Sequence, residues 1–411
     1  MGAPRIRRVA FTCNTTSGNQ DITLSGFGTP QAAIFIISGA AGTSATAHGR
    51  VGIGWTDGTN SYAAGAAAED AAATTNTARQ HGSGQVIGIP DVSGAGTLFY
   101  ATFVSWITDG VRINWPAGFA PGSAFHGEVI LIAGADNVTA GSVSLGTGTA
   151  AINTTLGYNP DLVLTAGVGV STGVTTTAKI AFGAWARSSN TQACHAWADT
   201  DAQVAATTTA GLMSNTYGYM EANVGSMQYG VTLAAIANGF SSTPSASAGD
   251  DKMPYLALNF GGTAAHVECA AGPSATGSYS KTGLSFKPGF LLTTTGVVSD
   301  TPGTSDTTGA ASFCFTTQDG FGGSWLGGGD LDGVGTSVAK SHRAADVERE
   351  YGDSAGAFAT LVERTFTSFN ADGWTKNQTS GTTSLYYLSL AVQANAGVPL
   401  FMHHRTQQGM S

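Results

Sequence analysis

Residues 27–35 read FGTPQAAIF: an aromatic residue, a proline, then an apolar run that continues to Ile37. A similar phrase, YNPDLVL, occupies 158–164, and FKPGFLL occupies 286–292. The prolines, at 30, 160 and 288, stand 130 and 128 residues apart. A recurrence of this kind has to be tested before local structure is read, because a missed repeat misassigns the whole fold.

Three further landmarks recur in the same order. Gly/aromatic segments follow each proline phrase: VGIGW at 51–55, IAFGAW at 180–185 and SFCFTT at 312–317. Short turns come next, TDGV at 108–111, ANGF at 237–240 and ADGW at 371–374. Alternating segments close the pattern, EVILIAG at 128–134, YLALNFGG at 255–262 and YYLSLAV at 386–392. Measured from its own proline, the turn glycine falls 80, 79 and 85 residues on. The spacing predicts three tandem units at 1–137, 138–265 and 266–395, with a tail at 396–411.

Within each unit the pattern is that of strands. Val9, Phe11 and Cys13 alternate with Ala10 and Thr12, which puts one face on a core. Asp-Gly and Asn-Gly are preferred in tight hairpins because both residues accept positive φ at low cost. Proline suits the first residue of a strand, where the missing amide donor is tolerated. Short strands and frequent glycine predict an all-β chain with one β-sandwich or jelly roll per unit. The expected exception is a short helix at 341–352, SHRAADVEREYG, inside a Gly-rich insertion at 322–357 of the third unit. The alanine-rich stretch 63–73 reads as a loop or a helical turn.

Composition narrows the function. Charged residues make up 10% of the chain, glycine numbers 58, and the net charge is −9. Low charge with 42% hydrophobic residues argues for a folded chain. The acidic balance argues against nucleic acid, which needs a concentrated basic face. The one dense basic cluster, Arg5, Arg7 and Arg8, reads as a solvated arm or a docking contact. No signal peptide is read at the start, and no apolar run is long enough for membrane insertion as a helix. The expected setting is therefore a cytoplasm. Cys13, Cys194, Cys269 and Cys314 show no paired spacing and read as free buried thiols.

Candidate chemistry is sparse. GDSAG at 352–356 fits a serine-hydrolase pattern and nominates Ser354, but a nucleophile elbow needs a strand before the serine and a helix after it. Asp330 and Asp332, in GGGDLDGVG at 327–335, are weak metal candidates, since Val334 stands where a third calcium ligand belongs. Glu69-Asp70 and Asp199-x-Asp201 read as solvated edges rather than a catalytic carboxylate pair. Trp55, Trp185 and Trp325 are weak ligand-binding candidates, because an exposed indole stacks on a sugar ring whereas a strand tryptophan is more often core. No cofactor and no enzymatic activity are expected.

At the repeat landmarks the chain resembles a loose group of tailed-bacteriophage and prophage virion proteins. SGNQDITLSGFGTPQAAIFIISGA, GYNPDLVLTAG, DGVRINWPAGF and MPYLALNFGG carry the resemblance. It implies a non-enzymatic structural protein on the particle surface, a capsid decoration or tail-tip component assembled in the host cytoplasm, with other virion proteins as partners. Binding of a host-surface glycan is the alternative expectation, and a hydrolase using Ser354 a remote one. Three similar units could also close around a pseudo-threefold axis within one chain, form a string, or associate as a homo-oligomer.

Overall fold

The computed structural model of the chain describes residues 5–42, 45–203, 209–223, 226–296, 308–317, 320–331, 337–345, 348–354, 357–381 and 385–393. Among these residues the regular structure is strand throughout, arranged in six antiparallel sheets. The first larger sheet has the order Arg5–Thr12, His126–Ala133, Ala32–Ser38, Gly49–Thr56, Ser61–Ala68, Thr77–Ser83. The second runs Asn137–Ser144, Lys252–Asn259, Leu162–Gly167, Ala178–Ala186, Thr191–Asp199, Thr209–Ser214. The third runs Ala265–Ala271, Tyr386–Gln393, Pro288–Thr295, Thr308–Thr317, Gly320–Leu331, Lys340–Ala345.

Each larger sheet is paired with a four-stranded one. These are Gly18–Thr23, Gly110–Trp115, Thr97–Ile107, Ile87–Pro90; Ile152–Thr155, Gly239–Pro244, Ser226–Ile236, Tyr219–Asn223; and Gly277–Lys281, Gly373–Ser380, Ala357–Asn370, Glu348–Ser354. Read in chain order, the three larger sheets follow one sequence of strands and the three smaller sheets another.

Alternation along the proline-led strands explains the packing. Ala32, Ile34 and Ile36 point to one core and Ala33, Phe35 and Ile37 to another. Leu162 and Leu164 part from Val163 in the same way, as do Phe290 and Leu292 from Leu291. The first set of faces converges from all three larger sheets on a single shared core, joined by Ile130, Leu256 and Leu390 from the closing strands. The opposite faces close separate sandwich cores against the smaller sheets. Burial on both faces makes these strands unbroken apolar runs, each buried Ile or Leu contributing about 1.5–3 kcal/mol.

The turns repeat as local chemistry. Asp109 and Asn238 adopt φ of 64° and 57°, and with Asp372 their carbonyls accept the N–H groups of Leu24, Leu156 and Leu284 at 2.7, 2.8 and 2.9 Å. A Cβ on the glycine that follows would stand 2.1 Å from Ile22 O at Gly110, 2.0 Å from Thr154 O at Gly239 and 1.9 Å from Lys281 O at Gly373. Only glycine fits that approach.

Neighbouring sheets exchange arms. Gly173–Thr176, from the loop after a proline-led strand of the second pair, adds to the edge strand Thr77–Ser83 of the first. Thr46–Ala47, from the matching loop of the first pair, adds to the edge strand Lys340–Ala345 of the third. The matching loop of the third pair, 297–307, lies outside the described residues.

Two expectations are corrected. The helix expected at 341–352 is instead two strands, Lys340–Ala345 and Glu348–Ser354, which belong to different sheets. The stretch 63–73 is strand over Ser61–Ala68, whose alanines fill the narrow space of the shared core through Ala64, Ala66 and Ala68. Along it Gly65 approaches backbone so closely that a Cβ would meet Gly88 O at 2.0 Å.

Candidate functional site

The residues singled out by motif do not form a site. Ser354 ends one strand and pairs with Ala357 at the start of the next, so the segment is a hairpin without the helix an elbow requires. Asp330 lies in the strand Gly320–Leu331, opposite Gly309, rather than in a glycine loop; Asp332 falls outside the described residues. Trp55 and Trp185 are fully buried, the first in the shared core and the second in the sandwich core of the second pair, so neither is a ligand platform. Trp325 stands opposite Cys314 and Ala344 in its sheet, and its side chain lies outside the described residues. Among the described residues no group of three or more His, Cys, Asp or Glu is placed to hold a metal ion, and no helix is long and apolar enough to cross a membrane.

The acids expected on solvated edges stitch neighbouring sheets together. Asp201, in the second pair, accepts the Thr77 N–H of the first at 2.9 Å. Asp70, in the first pair, accepts the Ala339 N–H at 3.1 Å and forms an ion pair with Lys340 of the third. Exposed edges are covered in the same manner: Asp57 accepts the Ala140 N–H at 2.9 Å, while Ser188 and Thr191 accept those of Ala265 and Val267 at 3.1 and 3.0 Å. An unpaired edge strand invites association with other chains, and these contacts blunt it.

Two polar clusters sit between the layers. In the second pair, Lys179 Nζ donates to Glu221 Oε1 at 2.5 Å and to Gln228 Oε1 at 2.8 Å. Arg79 of the first pair approaches the same Glu221 oxygen at 3.9 Å. Nearby, Tyr229 donates to Asp251 at 2.9 Å, and burial together with the Glu221 charge pushes the Asp251 carboxyl up to about 6. In the third pair, Glu348 receives Arg364 Nη1 at 2.9 Å and Lys376 Nζ at 2.5 Å, with all three side chains at most 3% exposed. Burial pushes the Glu348 carboxyl up, but Lys376 and Arg364 outweigh it and hold it below the ordinary glutamate value. Sequence reasoning missed both clusters, whose hydrogen-bonded partners lie 16 to 49 residues apart with no motif.

The outer faces of the smaller sheets carry the remaining candidates. On the first, Asn19 and Asn114 pair at 2.9 Å, and Arg112 makes a two-pronged contact to Asp21 at 2.6 and 2.7 Å. In cross-strand register this ladder continues to Thr102 and Ser105. Two residues from Thr102, Tyr100 rests against Phe119 with ring centroids 4.8 Å apart, both half-buried. Val104 is the one large hydrophobic residue exposed among the described residues, at 44%.

The basic cluster is a strand and not an arm. Arg5, Arg7 and Arg8 lie on the edge strand Arg5–Thr12 and, with Leu24, Phe27 and Thr317, line an open groove of about 600 Å³. Arg5 covers the Phe27 ring at 5.3 Å, and Arg8 pairs with the buried Glu128 at 3.4 Å. No family model matches the chain, and no curated protein is similar to it in sequence.

Proposed function

We propose that the chain is three tandem copies of one β-sandwich module closed around a pseudo-threefold axis, and that it serves as a non-enzymatic structural protein on the surface of a bacteriophage particle, as a capsid decoration or a tail-tip component. The observation that carries this reading is the shared core. Three larger sheets of one strand order bury their inner faces together, and each adds a short arm to a neighbour where both partners are described. Contacts that pass from one module to the next in a single rotational sense generate a ring when the rotation closes. In a single chain of this design four edges of the larger sheets, Thr77–Ser83, Lys340–Ala345, Asn137–Ser144 and Ala265–Ala271, are met by a neighbouring module, which suits a rigid part that has to add to an assembly without polymerising. The phage assignment rests on the sequence resemblance at the repeat landmarks.

A test is the protein content of purified particles from the source of this gene. The reading expects the chain in a fixed ratio to the major capsid or tail protein through a density gradient. Its loss into the soluble host fraction would count against it.

A second reading, a host-surface glycan-binding module, is favoured by the outer face of the first smaller sheet. Tyr100 and Phe119 offer aromatic surface to sugar C–H groups, and Asn19, Asn114 and Thr102 offer hydrogen bonds to hydroxyls. A glycan array with wild-type chain and Tyr100→Ala separates the readings. A signal that the substitution abolishes supports binding at this face, and the absence of any signal removes it.

A further inference from the structure

The second pair of sheets brings an amine, a carboxylate and a carboxamide together between its layers. Lys179 belongs to the larger sheet, Glu221 and Gln228 to the smaller one. Gln228 reaches Lys179 because of a bulge. The register passes from Glu221 opposite Tyr229 to Ala222 opposite Met227, which leaves Gln228 as the extra residue. A bulge re-aims the side chain it carries.

The other two smaller sheets contain the same bulge with different chemistry. Ile89 opposes Phe99 and Pro90 opposes Thr97, so Leu98 is the extra residue of the first; by the same reading of Glu350–Val362 and Tyr351–Thr360, Leu361 is that of the third. Both leucines pack onto apolar cores. The proline-led strands align Ile34, Leu164 and Leu292, opposite Trp55, Ala184 and Phe315. Counting back along the partner strands places Arg50 and Ala310 where the second pair has Lys179. Among the described residues, amine, carboxylate and amide meet at this contact in the second pair alone; in the third pair the Gln378 amide accepts from Arg364 and not from Lys376, which donates to Glu348.

We propose that Lys179 and Gln228 form an intramolecular isopeptide bond, with Glu221 as the proton carrier. Glu221 takes a proton from the Lys179 ammonium, and the freed amine attacks the Gln228 amide carbon, Cδ. The protonated Glu221 then gives its proton to the amide nitrogen. The C–N bond of the carboxamide breaks, ammonia leaves, and the former lysine nitrogen returns its surplus proton to Glu221. The overall change is an ammonium and a primary amide converted to a secondary amide and an ammonium ion in solution, with no oxidant or cofactor. Contact held by the fold replaces a bimolecular encounter, the usual source of high effective molarity. Gln228 is exposed at the rim of the layer, which gives ammonia an exit, and Arg79 remains beside Glu221 once the lysine charge is gone. The bond ties the two layers of one sandwich covalently, as a disulfide does, by closing a loop in the unfolded chain.

The test is the intact mass of the full chain, folded, incubated and then denatured. The proposal expects a mass lower than the sequence mass by one ammonia, no tryptic cleavage after Lys179, and a branched peptide containing Lys179 and Gln228. Wild-type chain at the sequence mass overturns it, and this reading requires no variant to fold. Loss of ammonia mapped to any other residue overturns it as well. Glu221→Gln is expected to show the full sequence mass, and a branched peptide in that variant overturns the role given to Glu221.

Discussion

Replacing Glu348 by Gln in the third pair removes the carboxylate that Arg364 Nη1 and Lys376 Nζ share, at 2.9 and 2.5 Å. The shape is kept, but two cations are left in a site at most 3% exposed. Breaking a buried pair by removing one partner costs about 3–5 kcal/mol, because the remaining charge has lost both water and its counterion. How far that moves the melting temperature depends on what unfolds. A chain of 411 residues melting as one unit has an unfolding entropy of about 0.9 kcal/mol/K, so Tm falls by about 4–6 °C. A third module of about 130 residues melting alone would lose about 11–18 °C. The shared core predicts the smaller shift and a single calorimetric transition. The Glu348 carboxyl is held below its ordinary value, so its contribution is present above about pH 4.3 and is lost as the pH falls further. The difference between wild type and Glu348→Gln therefore shrinks in acid. Scanning calorimetry at pH 7 and pH 4 measures all of this. A loss below about 1 kcal/mol at pH 7, the range of an exposed pair, would refute the buried network.

Further expectations concern other parts of the molecule. Gly110→Ala, Gly239→Ala and Gly373→Ala should each destabilise by about 1–3 kcal/mol or more, since each new methyl meets a carbonyl oxygen at 2.1 Å or less; a neutral result in urea titration at any of the three would break the equivalence of the turns. His81, His195 and His342 are lowered chiefly by burial, to about 4, 4 and 3. The unfolded chain therefore takes up protons that the fold refuses, and stability is lost as the pH falls from about 6.5 toward 4, partly offset by Asp251, whose raised carboxyl gains a proton in the fold. A Tm independent of pH over that window would contradict their burial. Cys13, Cys194, Cys269 and Cys314 are buried, and burial pushes each thiol up; a thiol reagent should label none of them before denaturation, and rapid labelling of native protein would count against the cores that hold them.

What the sequence disclosed follows from where the information is local. A turn such as Asp109-Gly110 carries its own signal, because backbone conformation is set by the residues in it. The apolar runs after Pro30, Pro160 and Pro288 were likewise legible as strands, although a continuous run does not say that one face meets a sandwich and the other a common core. The tryptophans divide between the two faces: Trp55 sits on the side facing the neighbouring sheets and Trp185 on the side facing its own sandwich, and both are buried. The stretch 341–352 reads as a helix because its charges interleave. In the fold, Ser341, His342 and Glu348 are all buried, and Ser341 and Glu348 find polar partners from elsewhere in the chain, so a polar inner face conceals the strand period. Alanine misled in the opposite direction at 63–68, where small size for close sheet packing outweighed helix propensity. Gln228 was invisible as a site because its orientation depends on a bulge, and a bulge is a property of two strands in register.

The central claim, a three-module ring on a particle surface, is tested most directly by cryo-electron microscopy of the assembled phage. The account predicts compact triangular density for one chain, three sandwiches around a common centre, at a fixed site on the capsid or the tail tip. Three separate beads of density, or particles that lack the chain altogether, would contradict it.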